Sequence, residues 1–294
     1  MRDKIFAWIA AHYPTQAIAD SEPLAALWRV LFYAIGPRQP FVMRTPHYRL
    51  VAHPIKGTLT RAVIRRGIWE RELTEEFVRH VKPGALMIDA GANFGHFALV
   101  AAHMIGQEGR IFAFEPDPKT LSLLAENIAL LPIQNVTAVA AGLSDKAGEL
   151  MLCADAGNPG GHSFLKENVR AAGDATRVPV YTIDDYLSQH APGRRLNLLK
   201  IDVQGFEAKV IAGARATIAR DRPVIFCEIS PDLMRNAGDE ATRLLEYFRE
   251  LNYGATRIAG PREQVAGYEA IERFLRESGL DHADIVFEPA KTQA

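Results

Sequence analysis

Residues 87–95 read Met87-Ile88-Asp89-Ala90-Gly91-Ala92-Asn93-Phe94-Gly95, and a second short apolar run, Arg110 to Phe114, ends in Glu115-Pro116. In the first stretch an apolar run closes on an acid and a glycine-bearing turn, after which an apolar helical pattern begins. The second run again closes on an acid. This is the pattern of a strand–loop–helix–strand unit, in which ligands collect beyond the carboxyl ends of parallel strands. Gly91 and Gly95 let backbone approach a ligand where a side chain would block it. Asp89 is placed to organise the loop and a ligand's ammonium group. Asn93 supplies amide donors and an acceptor. Backbone N–H groups at the start of the next helix favour a carboxylate. Glu115 is suited to accept hydrogen bonds from both hydroxyls of a ribose.

The spelling of the turn narrows the ligand. A dinucleotide fingerprint needs glycine at three places, G-x-G-x-x-G. Counting from Gly91, the second and third places hold Asn93 and His96, so the pyrophosphate cradle is missing. A G-x-N-x-G turn followed by an acid at the end of the next strand points to S-adenosylmethionine instead, and against a nucleotide-dependent oxidoreductase.

Outward from this unit, strands and helices alternate from residue 85 to the end. Strands are expected at about 85–90, 110–114, 135–141, 196–203, 222–229, 253–259 and 283–288. Helices are expected at about 94–105, 117–130, 183–190, 206–219, 239–251 and 262–277. Such alternation argues for a largely parallel sheet with helices on both faces. Residues 143–181 break the rhythm with two strand-like runs, Glu149–Ala154 and Arg177–Tyr181, around a glycine-rich loop at 157–161. This insertion is a candidate wall for the acceptor pocket. Upstream, Thr74–His80 reads as a helix, and Tyr48–His53 with Leu59–Ile64 as an antiparallel pair. Two helical patterns, Ile5–Tyr13 and Leu24–Ile35, precede a Gly-Pro linker at 36–40. Their aromatic residues Trp8, Trp28, Phe32 and Tyr33 suit core packing, a pocket cap, a dimer contact or a membrane surface. The chain thus divides into a helical extension, 1–45, and a main domain, 46–294.

Other residues complete the candidate site. Ser144-Asp145 follows the third strand and is placed to reach an adenine amino group, although an Asx-type turn explains the pair nearly as well. Asp202 closes the fourth strand near the expected methyl position, and Lys200, inside that apolar strand, needs a partner. Glu228 closes the next strand at the same end of the sheet. His162, in the glycine-rich insertion, titrates near neutral pH when unperturbed and rivals Asp202 as the base for an acceptor hydroxyl. No His, Asp, Glu or Cys spacing suggests a metal site.

Bulk properties bound the rest. The 294 residues carry 34 basic and 35 acidic side chains, a formal net charge of −1, and are 48% hydrophobic. That supports a substantial core and argues against a dedicated nucleic-acid binder. The two cysteines, Cys153 and Cys227, lie in strand-like runs and read as buried thiols in a reducing compartment. No signal peptide or spanning helix is expected, so the location read from the sequence is cytoplasmic.

Taken together, Asp89-Ala90-Gly91-Ala92-Asn93-Phe94-Gly95, Phe114-Glu115-Pro116, Leu143-Ser144-Asp145 and Leu199-Lys200-Ile201-Asp202-Val203-Gln204-Gly205-Phe206-Glu207 resemble the FkbM-type methyltransferases. Val178-Pro179-Val180, Thr182-Ile183-Asp184-Asp185 and Glu228 fit the same order. The resemblance covers roughly residues 66–260. It implies a Rossmann-like class I methyltransferase fold, an α/β seven-stranded sheet of order 3-2-1-4-5-7-6 with the last strand antiparallel. It also implies S-adenosylmethionine as donor and a hydroxyl acceptor on a sugar, glycolipid or polyketide. Carried over by motif, Asp89, Gly91, Asn93, Gly95 and Glu115 bind the donor, and Glu70, from a Trp69-Glu70 pair, approaches it. Two positions depart from the pattern. Gln204 stands where the family commonly has Glu, and His96 where it often has an aromatic residue, so His96 is assigned no catalytic part. N-methylation and a non-catalytic nucleoside-binding module remain as alternatives, with a homodimer possible.

Overall fold

The computed structural model describes residues 41–44, 47–52, 69–158, 160–258 and 265–290, together with Pro23, Ala26 and Val30, each helical. The expected elements Ile5–Tyr13 and Leu59–Ile64, the 36–40 linker, and Leu24–Ile35 apart from Ala26 and Val30, lie outside the described residues.

Five strands form the parallel half of the main sheet: β3 (Leu86–Ala90), β4 (Arg110–Phe114), β5 (Val136–Val139), β9 (Leu196–Ile201) and β10 (Val224–Ile229). β13 (Ala283–Pro289) runs antiparallel between β10 and β11 (Tyr253–Ile258). Numbered along the chain, these seven strands lie in the order 3-2-1-4-5-7-6, as the motifs imply. The departure is an eighth strand, β12 (Val265–Ala266), on the edge beside β11. It occupies part of the 262–277 segment expected to be helical.

Two apolar layers enclose the sheet. On one face α1 (Arg71–His80), α2 (His96–Ile105) and α3 (Pro118–Ile128) bury Phe77, Phe97, Leu99 and Leu124 against Met87, Leu198 and Phe226. On the other, α4 (Ile183–His190), α5 (Glu207–Ala212), α6 (Arg215–Asp221), α7 (Pro231–Asn236), α8 (Ala241–Glu250) and α9 (Tyr268–Glu277) cover Ile88, Leu199 and Ile225. Each fully buried side chain of this size contributes roughly 1.5–3 kcal/mol. Local signals start the helices. Asp117 caps α3 by accepting from Thr120 N at 2.8 Å, with Pro118 next to it, and Thr182 caps α4 by accepting from Asp185 N at 3.0 Å.

The single helix expected over 206–219 is two. At Gly213 a side chain would lie 2.1 Å from the Ser144 carbonyl oxygen, so the backbone passes another loop too closely to carry one. Gly213 O accepts from Asp184 N, and the Asp184 carboxylate accepts from Ala216 N and Thr217 N at 3.0 and 2.8 Å. A side chain from α4 thus caps α6 and makes the break.

The 143–181 insertion forms a second, three-stranded sheet of order β6-β8-β7, from β6 (Gly142–Leu143), β7 (Gly148–Asp155) and β8 (Ala172–Tyr181). Upstream, β2 (Arg49–Ala52) pairs antiparallel with β1 (Phe41–Arg44), whereas the sequence suggests Leu59–Ile64 as its partner. The domain boundary expected at residue 45 falls inside this hairpin. Asn127 ties the hairpin to the main domain: its Oδ1 accepts from Val51 N at 2.6 Å and its Nδ2 donates to Phe94 O at 2.8 Å.

Among the described residues, no helix is long and apolar enough to cross a membrane.

Candidate active site

β3 is the switch point: the chain leaves it for β4 on one side and later returns as β9 on the other. Beyond the carboxyl ends of β3, β4, β9 and β10 lie two adjoining cavities. The smaller, of about 60 Å³, is lined by Gly91, Asn93, Glu115, Leu143, His162 and Phe164 among others. The larger, of about 560 Å³, is lined by Trp69, Glu70, Asn93, Lys200, Asp202 and Glu228 among others. Gly91, Asn93, Gly160, Asp202 and Gln204 line both.

Gly91 makes this closeness possible. It has φ +77°, and a Cβ on it would lie 1.9 Å from the backbone oxygen of Asp202. The loop's own N–H groups are not offered to a ligand, since each is bonded within the protein. Gly91 N and Ala92 N donate to Phe114 O, Gly95 N donates to Ala92 O, and Phe94 N donates to Asn93 Oδ1. Asn93 N donates to Glu115 Oε2 at 2.9 Å. Gly95 lines neither cavity; it caps α2, with a would-be Cβ 2.6 Å from Leu124 Cδ1.

Glu115 is 6% exposed and each of its oxygens accepts one N–H, Asn93 N on Oε2 and Asp117 N on Oε1, both at 2.9 Å. A carboxylate oxygen has two lone pairs, so both oxygens keep one for a ligand. Burial pushes this carboxyl up to about 8, against the pull of its two backbone donors. Ser144 and Asp145, by contrast, do not line the cavities. Ser144 Oγ donates to Asp145 Oδ1 at 3.1 Å. Their neighbours Gly142 and Leu143 line the smaller cavity with Phe114, Leu152 and Phe164. Gly142 has no side chain because the Phe164 ring fills that space, 2.5 Å from where a Cβ would be. The sequence reading overlooked this apolar slot. Its available signal was the glycine before Leu143.

His162 is brought to the smaller cavity beside Glu115. Its Nδ1 accepts from Asp155 N at 2.9 Å, and its Nε2 faces Asp117 Oδ2 at 3.9 Å. The neutral ring therefore carries its proton on Nε2 and has no lone pair left over, which argues against the general base expected from the sequence. Asp155, whose N–H holds His162, organises the loop. Burial raises its carboxyl, but the N–H groups of Gly157, Arg170, Asn158 and Ala171 outweigh that and hold it below its ordinary value.

The floor of the larger cavity is a charge cluster around one lysine. Lys200 is 4% exposed, lies 4.9 Å from the centre of the Phe97 ring, and donates to Asp202 Oδ2 at 3.1 Å. Asp202, Glu70, Asp89 and Glu228 outweigh its burial and keep it charged. Asp89, 1% exposed, pairs in register with Lys200 and lines neither cavity. Burial lifts it to about 6, against the pull of Lys200 and of the Ala98 backbone N–H at the start of α2. Its place is beneath the loop. Glu70 lines the larger cavity from the left-handed residue that starts α1, and burial pushes it up to about 8. Glu228 is raised well above its ordinary value by burial and by Asp202. Gln204 joins the two strand ends: its Nε2 donates to Asp202 Oδ1 at 3.0 Å and to Glu228 Oε1 at 3.2 Å. Among the described residues, no group of three or more His, Cys, Asp or Glu is arranged to hold a metal ion.

His96 is structural. Thr74 Oγ1 donates to Trp69 O, so it accepts from His96 Nε2 at 2.7 Å, and Tyr48 O–H donates to Nδ1 at 2.5 Å. Burial holds the ring neutral, down to about 3.

Residues 89–254, over half of the chain, match the family described as the methyltransferase FkbM domain. Methyltransferase sdnD of Sordaria araneosa is 30% identical over 163 residues, which cover 46% of this chain and 62% of that protein. The 2-O-methyltransferase NoeI of Sinorhizobium fredii is 28% identical over 163 residues, covering 51% and 65%. The match thus spans less than two thirds of either relative. The crystal structure of methyltransferase FkbM from Methylobacillus flagellatus aligns with 77% of this chain and 52% of its own, at 15% identity and a TM-score of 0.42.

Proposed function

The chain belongs to the FkbM methyltransferase family, and from that we propose that it transfers the methyl group of S-adenosylmethionine to a hydroxyl on a sugar, glycolipid or polyketide-like small molecule. The observation that carries this reading is the pair of cavities sharing one wall of Gly91, Asn93, Gly160, Asp202 and Gln204. A nucleoside in the smaller cavity reaches the larger one at that wall, where donor and acceptor meet.

The residues present fit the donor. Phe114, Leu143, Leu152 and Phe164 form an apolar slot for a base, and Glu115 keeps lone pairs for ribose hydroxyls. Asp202 and Glu70 are suited to an ammonium group. When bound, S-adenosylmethionine supplies a methyl carbon on a positively charged sulfur, a direct electrophile. The protein's work is then alignment and exclusion of water, plus removal of one proton from the acceptor oxygen as its bond to carbon forms. Asp202 is our choice for that proton, since it lines both cavities. Lys200 and Gln204 each donate to it, one on each oxygen, and keep it aimed. NoeI, named as a 2-O-methyltransferase, supports oxygen as the methylated atom. A second reading, an amine acceptor, draws on the carboxyl groups of Glu70, Asp202 and Glu228 in the larger cavity.

Calorimetric titration with S-adenosylmethionine, S-adenosylhomocysteine and NADH tests the donor assignment. Expected are micromolar binding of the first two and none of NADH. Glu115→Ala should weaken the binding at least tenfold, as for loss of two hydrogen bonds at about 1 kcal/mol each. A folded protein that binds neither sulfur nucleoside overturns the reading. Methyl transfer from labelled donor to matched alcohols and amines then separates oxygen from nitrogen.

A further inference from the structure

Gln204 holds a position at the centre of the site, in the wall that the two cavities share. Its backbone has φ 50°, in the left-handed region. Its carbonyl oxygen accepts from Ser163 Oγ and Asn168 Nδ2, both at 3.0 Å, so the β7–β8 insertion clamps the turn. Its side-chain nitrogen has two protons, and the two donor contacts to Asp202 and Glu228 use both. The reverse orientation of the amide would set its oxygen against Asp202 Oδ1, lone pair against lone pair. The two carboxyl groups therefore fix which end of the amide is which. The oxygen Oε1 takes no hydrogen bond among the described residues and is not sealed from solvent, while the residue lines both cavities. A neutral acceptor atom is thus presented at the wall the cavities share.

Resting on the methyltransferase reading above, we propose that Gln204 is an acceptor-positioning residue, whose Oε1 accepts the hydrogen bond of the acceptor's hydroxyl beside the methyl group. An amide oxygen is too weak a base to take that proton. It holds the hydroxyl so that an oxygen lone pair faces the methyl carbon. As the bond to carbon forms, the O–H turns from Oε1 to Asp202, whose Oδ1 lies 3.0 Å from the nitrogen of the same amide, and the proton leaves to that carboxylate. The new C–O bond forms as the C–S bond breaks, and the electron pair of that bond stays on sulfur. A glutamate here would set a third carboxyl against Asp202 and Glu228. The glutamine removes that repulsion and keeps the acceptor oxygen.

The test needs no knowledge of the natural acceptor. Sinefungin carries an amine on carbon in place of the methylated sulfur, so its N–H donors report on the group facing the methyl position. S-adenosylhomocysteine carries nothing there. The quantity read is the ratio of the two affinities, by calorimetry, for the wild type, Gln204→Met and Gln204→Glu, each checked for folding by thermal melting. We expect the wild type to prefer sinefungin and Gln204→Met to reduce that preference at least tenfold. In Gln204→Glu the preference should rise, because a carboxylate repelled by Asp202 turns toward the shared wall. A ratio unchanged within twofold in both variants overturns the proposal. So does an equal fall in both, which would assign the effect to the amide nitrogen. Should the Met variant not fold, the direction of change in the Glu variant decides alone. Failure of the folded wild type to bind S-adenosylhomocysteine removes the donor reading itself, and this inference with it.

Discussion

Two glycines of one motif have different work, and substitution separates them. At Gly91 an added methyl meets a backbone oxygen that cannot move aside, and the residue also holds φ +77°. Gly91→Ala should cost about 2–5 kcal/mol, the sum of left-handed strain and overpacking, and abolish binding of S-adenosylhomocysteine. Gly95 also holds a left-handed backbone, φ +96°, but Gly95→Ala meets the end of a flexible leucine rather than backbone, away from both cavities. It should cost less and leave the affinity within about threefold by calorimetry, on the order of the 0.5 kcal/mol typical of changes away from a site. Equal loss in both would show that the loop acts as a unit. The motif alone marks both positions as glycine and does not separate them, because the distinction lies in what each faces: Asp202 for one, Leu124 for the other.

β9 carries a lysine in the buried run Leu198–Ile201, which is otherwise apolar, and the cost of burying it is offset by its neighbours. Lys200 answers Asp202 directly and Asp89, Glu70 and Glu228 through the field. Replacing it with methionine leaves those acids buried together. Lys200→Met should therefore lose about 3–5 kcal/mol in urea denaturation at pH 8, the usual penalty for removing one partner of a buried pair. At pH 5, where the acids can hold protons, the loss should be clearly smaller. A loss equal at both pH values would mean that packing on Phe97, not charge, is what the lysine contributes. The need for a partner was legible from the strand's composition. Asp202 lies two residues on, but the other partners were not legible, since Asp89, Glu228 and Glu70 come from β3, β10 and the start of α1.

Among the described residues, the folded protein carries more raised carboxyl groups than lowered ones, and this sets a pH dependence. Glu70 and Glu115 rise to about 8 and Glu207 to about 7, all chiefly through burial. A carboxyl raised in the folded state holds its proton more tightly there than in the unfolded chain. Its contribution is complete below the unfolded value and is lost as pH rises through the folded one. His96, lowered to about 3, acts in the opposite sense, but its contribution is complete once pH exceeds the unfolded value of about 6.5. Between pH 6.5 and 8 the acids act without that opposition, so the melting temperature should fall across this window. Glu115→Gln should flatten the slope. A midpoint that is level or rising from pH 6.5 to 8 would refute the assignment. Legible in the sequence were the alternation of elements and the acids closing β3, β4, β9 and β10, which follow from periodicity and strand-end positions and are local; the strand order came with the family resemblance. The folded chain alone shows that the loop N–H groups are already bonded, that His162 has no free lone pair, that Leu143 and not Ser144 or Asp145 faces the cavity, and that Gln204 bridges two carboxyl groups. Each of these depends on contacts between segments far apart in the chain, and on which atom of a side chain is left over once those contacts are made.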